Sequence, residues 1–143
     1  MGQGIVKAIC TSKKKGMQKK YVQSATFIEN HGIEGDGHAG DWDRQVSLLA
    51  AEVIADFNAK GAAVHDGAFG ENLIIEGFDL INLPVGTELR CNDVKLKLTK
   101  IGKECHTKCH IYHRMGDCIM PRNGVFSIVT EGGTINVGDP ITY

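Results

Sequence analysis

Apolar and polar side chains alternate residue by residue along Val94-Lys95-Leu96-Lys97-Leu98-Thr99. That two-residue period marks a strand with one wet face. Asn92-Asp93 before it and Gly102 after it supply turn chemistry. Ile5 to Cys10, Ala25 to Glu29, Thr87 to Cys91 and Val125 to Thr130 also read as strands, and Glu131-Gly132-Gly133-Thr134 reads as a hairpin connection. One helix is predicted near Ser47 to Lys60. Ser47 is a suitable cap, Leu49, Val53, Ile54 and Phe57 recur at three- and four-residue spacing, and Gly61 stops the pattern. Pro84-Val85-Gly86-Thr87-Glu88-Leu89 and Asn136-Val137-Gly138-Asp139-Pro140-Ile141 predict similar turns entering strands. Many short strands with one principal helix predict a mainly β, barrel-rich α+β fold.

The 143 residues suit a single domain spanning 1–143 with a real core. A net charge of −1 argues against recruitment of nucleic acid by a global field. The basic block Lys13-Lys14-Lys15, followed by Lys19-Lys20, reads either as a solvated loop or as a docking patch for an anionic partner. No apolar run approaches the roughly 20 residues of a membrane helix. The start Met1-Gly2-Gln3-Gly4 lacks the regions of a secretory signal, so a cytoplasmic location is expected.

Chemistry gathers in three places. Gly32-Ile33-Glu34-Gly35-Asp36-Gly37-His38-Ala39-Gly40 is a glycine-dense loop able to offer amide N–H groups to an anion. Asp36 and His38 are either ligand contacts or turn residues. Arg44 follows, a planar fork suited to phosphate or carboxylate, with a surface ion pair as its plainer reading. Gly67-Ala68-Phe69-Gly70-Glu71-Asn72-Leu73 is a second glycine-bounded turn. The densest concentration lies between Cys105 and Cys118, where Cys109, His106, His110 and His113 also fall. Thiols and imidazoles together suggest sulfur transfer, soft metals or redox chemistry. In a reducing compartment such clusters point to metal or catalysis before disulfides. Zinc bound by Cys105, Cys109, Cys118 and histidines, buried inert thiols, and a reactive thiol are all open. The lack of paired Cys-x2-Cys knuckles favours the thiol, with Lys103 and Lys108 at hand to activate it. Cys10 and Cys91 fall in predicted strands and read as packing residues.

The ordered set resembles the MOSC domain, named for the C-terminal domain of molybdenum cofactor sulfurase. The set comprises the glycine loop at 32–40, Arg44-Gln45-Val46-Ser47-Leu48-Leu49 with Glu52, and Gly70-Glu71-Asn72-Leu73. A strand leading to Cys105, Gly124-Val125-Phe126 and Gly138-Asp139 complete it. The resemblance runs from about Gly4 to Ile141. It implies a β-barrel-rich fold, a pocket for pterin-bound molybdenum and one functional cysteine that carries sulfur or ligates molybdenum. Cys105 is the best match, followed by Cys118 and Cys109. Asp36, His38, Arg44, Gln45, Ser47, Glu71, Asn72 and Lys103 become candidates for holding the cofactor, and His106, His110 and His113 secondary metal candidates. The implied function is a cofactor-binding and sulfur-transfer module. The alternatives are a molybdenum-dependent reductase of N-hydroxylated compounds and a zinc-stabilised, non-catalytic binding module. A sulfurase's pyridoxal-phosphate domain has no room in this chain. Pyridoxal phosphate is therefore expected only through a partner, a cysteine desulfurase or another molybdenum cofactor biosynthesis protein.

Overall fold

A computed structural model describes residues 2–14, 18–102 and 123–143. Eleven strands and one α-helix are present there: β1 Gln3–Thr11, β2 Lys20–Val22, β3 Ser24–Ile28, β4 Gly32–Ile33, β5 Val46–Ala50, α1 Ala51–Ala59, β6 Leu73–Glu76, β7 Glu88–Cys91, β8 Val94–Ile101, β9 Val125–Glu131, β10 Gly133–Asn136 and β11 Pro140–Thr142. The main sheet runs β11-β7-β8-β9-β5-β6-β1-β2, and β11 also pairs with β1, closing a barrel. Closure removes the exposed edges that an open sheet would carry. The smaller sheet is β10-β3-β4. The predicted mainly β fold with one principal helix is what forms. No helix of the described residues is long and apolar enough to cross a membrane.

Strand alternation fills the barrel. Leu96 and Leu98 of β8, Val125 and Val129 of β9, and Leu73 and Ile75 of β6 point into one apolar cluster with Val6, Ile9, Val46, Leu48 and Ile141. A bulge lies between Val6 and Ala8 where β1 pairs with β6. The extra residue switches side-chain parity, so Ile9 rejoins Val6 inside while Ala8 turns outward. The outward side carries a second cluster of Leu49, Ile74 and Phe126 under Ile54 and Phe57 of α1. A nine-residue helix has little intrinsic stability, so this packing holds it. Truncating buried Phe57 would cost about 3–5 kcal/mol.

Two expectations need correction. The helix begins at Ala51, its N-cap is Ala50, and Ser47 lies within β5. Ser47 therefore caps nothing, and Arg44 precedes a strand rather than a helix. The cause is that β5 is buried along its whole length, paired in parallel with β6 and antiparallel with β9. Such a strand reads as a continuous apolar run rather than an alternation. Likewise Glu131-Gly132-Gly133-Thr134 is no hairpin: β10 leaves β9 and pairs with β3 in the smaller sheet. Gly132 allows that corner, since a Cβ there would sit 2.6 Å from the Phe27 carbonyl oxygen. The two similar turns do match, with Gly86 at φ 96° and Gly138 at φ 95°, just before β7 and β11.

Candidate functional site

The glycine loop is fastened from beneath by Asp36. Its Oδ1 accepts from Lys19 Nζ at 2.8 Å and from the Ser12 amide at 3.1 Å. Its Oδ2 accepts from the His38 amide at 3.1 Å and faces His38 Nδ1 at 4.0 Å. Both charged side chains of the Lys19–Asp36 pair are completely buried. Burial alone would raise the Asp36 carboxyl, but the bond and charge of Lys19 and the two amide bonds outweigh it, and the group titrates below the usual range. Lys19 thus departs from the solvated-loop reading of the basic block, whose Lys13, Lys14 and Lys20 are exposed.

Above this anchor lies a row of rings. The His38 and Trp42 rings stack at 6.2 Å, tilted by 7°, and the Trp42 indole N–H donates to the His38 carbonyl at 2.7 Å. The Arg44 guanidinium lies 4.7 Å from the Trp42 ring centroid and 5.9 Å from that of Phe126. Stacking of this kind holds a guanidinium flat while leaving its edge N–H groups able to donate. Phe126 is paired directly with Ser47 across β9 and β5. Paired residues share a face, and Val46 and Leu48 occupy the barrel interior, so Ser47 and Phe126 belong to the outward side. Ser47 Oγ is buried and has no hydrogen-bond partner among the described residues. A guanidinium held over Phe126, and a hydroxyl without a partner among the described residues on the strand residue that pairs with Phe126, are donor chemistry that fits an anionic, oxygen-rich ligand. It fits the phosphate tail of the pterin cofactor that the resemblance implies.

The second glycine loop frames the same face, with His38 Cε1 4.0 Å from where a Gly70 Cβ would sit. Glu71 folds the loop, accepting from the Gly67 amide through Oε2 and from the Phe69 amide through Oε1, each at 3.0 Å. Burial pushes its carboxyl above the usual range, and these amide bonds offset that only in part. Asn72 ties three strands. Its Oδ1 accepts from the Ser47 amide at 2.9 Å, and its Nδ2 donates to the Cys10 carbonyl at 3.1 Å. Gln45 is also fully buried, and its Oε1 accepts from the Val129 amide at 3.0 Å.

The structure therefore brings Asp36, His38, Arg44, Gln45, Ser47, Glu71 and Asn72 to one region and divides their work. Asp36, Gln45, Glu71 and Asn72 spend their polar atoms on internal bonds, while the Arg44 guanidinium lies against Trp42 and Phe126 and the Ser47 hydroxyl has no partner among the described residues. Cys105, Cys109, Cys118, Lys103, His106, His110 and His113 lie outside the described residues. The chain on either side of them is well anchored: Ile101 pairs with Val125, and the Gly102 amide donates to the Gly124 carbonyl at 2.6 Å. Among the described residues no cluster of three metal-ligating side chains occurs. Cys10 and Cys91 are buried, and burial pushes both thiols up to about 12. That agrees with their reading as packing residues.

Sequence reasoning missed Lys19 and Trp42. Nothing in a run of lysines distinguishes a buried one. Trp42 had a signal, as the chain's single tryptophan, two residues before Arg44.

The MOSC domain family model matches residues 35–142. No curated protein sequence matches the chain. Among solved structures, the YuaD protein from Bacillus subtilis aligns with a TM-score of 0.81 at 18% identity, over 99% of this chain and 97% of that one. YiiM from Geobacillus stearothermophilus aligns at 0.73 and 18% identity, over 97% of this chain and 74% of that one. YiiM from Escherichia coli aligns at 0.66 and 18% identity, over 99% and 68% respectively. At such identities the likeness concerns the fold. The family match spans most of the chain and contains the first glycine loop from Gly35 on, the whole of the second, β5 with Arg44 before it, and β6 to β11, and on that ground the chain belongs to the MOSC domain family.

Proposed function

We propose that this chain binds the pterin-bound molybdenum cofactor on the His38–Arg44–Ser47 face and carries sulfur for it on Cys105. The observation that carries the reading is the Arg44 guanidinium held against Trp42 and Phe126, on the same outward side as the orphaned Ser47 hydroxyl. Arg44 supplies charge-assisted donors to the phosphate, Ser47 a hydroxyl donor, and His38 a second nitrogen donor when protonated. When bound, the cofactor would supply a molybdenum centre able to take a sulfur ligand.

The family resemblance supports Cys105 as the sulfur carrier. Its thiolate would attack the outer sulfur of a partner's persulfide. The new sulfur–sulfur bond forms on Cys105 as the partner's breaks, and the partner leaves as a thiolate, so no separate oxidant or reductant is consumed. A cysteine desulfurase is the partner class that presents such a persulfide, and it would bring the pyridoxal phosphate.

The test is the composition of protein purified from a host that makes the cofactor. Equimolar molybdenum and pterin, lost together in Arg44→Ala, is the expected result. Stoichiometric zinc without molybdenum or pterin would overturn the reading in favour of a zinc-stabilised binding module.

A further inference from the structure

We infer that Lys19 is a positioning residue for this anion-binding face, joining the two glycine loops and fixing His38 and Trp42 through Asp36. The inference rests on the functional reading above for what the face binds, but its geometry stands without it. The Lys19 amide donates to the Gly67 carbonyl at 2.8 Å. A Cβ on Gly67 would lie 2.1 Å from the Lys19 carbonyl oxygen, and Gly67 has φ +89°, so glycine is what lets the second loop close on Lys19. At its other end the Lys19 ammonium reaches Asp36 Oδ1 at 2.8 Å and Ser12 Oγ at 3.2 Å. One residue thus grips the loop carrying Gly70 and Glu71 by its backbone and the loop carrying His38 by its side chain.

The contacts continue outward in an unbroken series. Asp36 accepts from the His38 amide, the His38 carbonyl accepts from the Trp42 indole, and the Trp42 ring carries the Arg44 guanidinium. Burying an ammonium and a carboxylate completely is costly, and such a pair commonly contributes no more net stability than apolar side chains of the same size. Stability is therefore a weak account of it. What apolar side chains cannot do is accept the His38 amide and orient its ring.

Trp42 is the only tryptophan, so its emission reports on this loop without any ligand. The experiment compares wild type, Lys19→Met, and the double variant Lys19→Met/Asp36→Leu by thermal unfolding, acrylamide quenching of Trp42, and retention of molybdenum and pterin. Lys19→Met leaves a buried unpaired carboxylate and is expected to lower Tm by about 10 °C. The double variant is expected to regain most of that loss, yet to show a red-shifted, more quenchable Trp42 and roughly tenfold weaker cofactor retention, the order of a lost charge-assisted contact. A double variant with wild-type Tm and wild-type Trp42 quenching would overturn the inference and leave the pair as scaffold. Should the double variant not fold, Asp36→Asn is read in its place. A displaced Trp42 supports the inference, and an unchanged one overturns it. If wild type itself retains no molybdenum or pterin, the functional reading fails, while the Trp42 comparison still decides the role of Lys19.

Discussion

Arg44 holds its guanidinium 4.7 Å from the centre of the Trp42 ring, so the cation is oriented before any ligand arrives. Preorganisation lowers the entropy that binding must otherwise overcome. Arg44→Ala should weaken cofactor retention by roughly tenfold to a hundredfold, the range for losing a charge-assisted bidentate contact. Arg44→Lys keeps the charge but neither the fork nor the stacking, and should recover only part of that loss. Wild-type retention in both variants would make Arg44 a structural residue.

Asn72 should matter to the fold rather than to the ligand. Asn72→Ala strands the Ser47 amide and the Cys10 carbonyl in a buried place, at a cost of about 3 kcal/mol by the usual price of unsatisfied groups. Urea unfolding should show a lower midpoint with an unchanged slope. Asn72→Asp keeps the acceptor for Ser47 but sets a carboxylate oxygen against the Cys10 carbonyl. Its stability should therefore recover as pH falls and a protonated carboxyl can donate. An Asn72→Asp variant as stable as wild type at neutral pH would contradict the bridging role.

The apolar pattern made β8 legible because Val94, Leu96 and Leu98 face the core while Lys95 and Lys97 lie on the other side. It failed at β5, where Val46 through Ala50 are all buried and no alternation survives. Leu49, Val53 and Ile54 then mimic a helical stripe although the first of them is in a strand. The glycine loops were legible as tight turns because local backbone chemistry marks them, with positive φ at Gly32, Gly35, Gly40, Gly67 and Gly70. The division of labour within them was not, since whether Asn72 or Gln45 faces a ligand or a neighbouring strand depends on pairing partners far away in sequence. Lys19 was illegible for the same reason: its counter-charge, Asp36, lies 17 positions on and meets it only in the folded chain.

Acid should act on the fold partly through Asp36. Its carboxyl is held below the ordinary 3.8 against the effect of burial, chiefly by Lys19. A depressed folded-state value means the unfolded chain binds the proton first. The stability it contributes is thus complete above about 3.8 and fades as pH falls through the lower folded value. Asp36→Asn should be less stable than wild type at pH 7, by about 3 kcal/mol for a broken buried pair. That gap should narrow as pH drops below 3.8. Urea midpoints measured at pH 7, pH 4 and pH 2.5 (values chosen to bracket the window) test this. A gap that stays constant would remove Asp36 from the acid response. Glu71 works the other way: its raised carboxyl favours protonation in the folded state, so its contribution grows as pH falls toward 4.5.

Thiol labelling should separate the five cysteines into two classes. Cys10 and Cys91 are 0% and 2% exposed, and their thiols are pushed up to about 12. For Cys10 the causes are burial first, then the negative charges of Glu71 and Asp66. For Cys91 they are burial, then Asp139. At pH 8 such a thiol is ionised roughly a thousandfold less than an ordinary one, and only the thiolate reacts. Timed alkylation of native protein with mass mapping should therefore leave Cys10 and Cys91 unlabelled until the chain is unfolded. Native labelling should fall on the cluster, fastest at Cys105, where Lys103 and Lys108 flank the thiol in sequence and favour its ionised form. Bound cofactor should slow Cys105 selectively if that sulfur meets the molybdenum centre. Protection of Cys105, Cys109 and Cys118 together, lifted by a chelator, would instead assign them to zinc and end the case for a sulfur carrier. Rapid native labelling of Cys10 would contradict the packed barrel wall around it, since β1 pairs there with both β2 and β6.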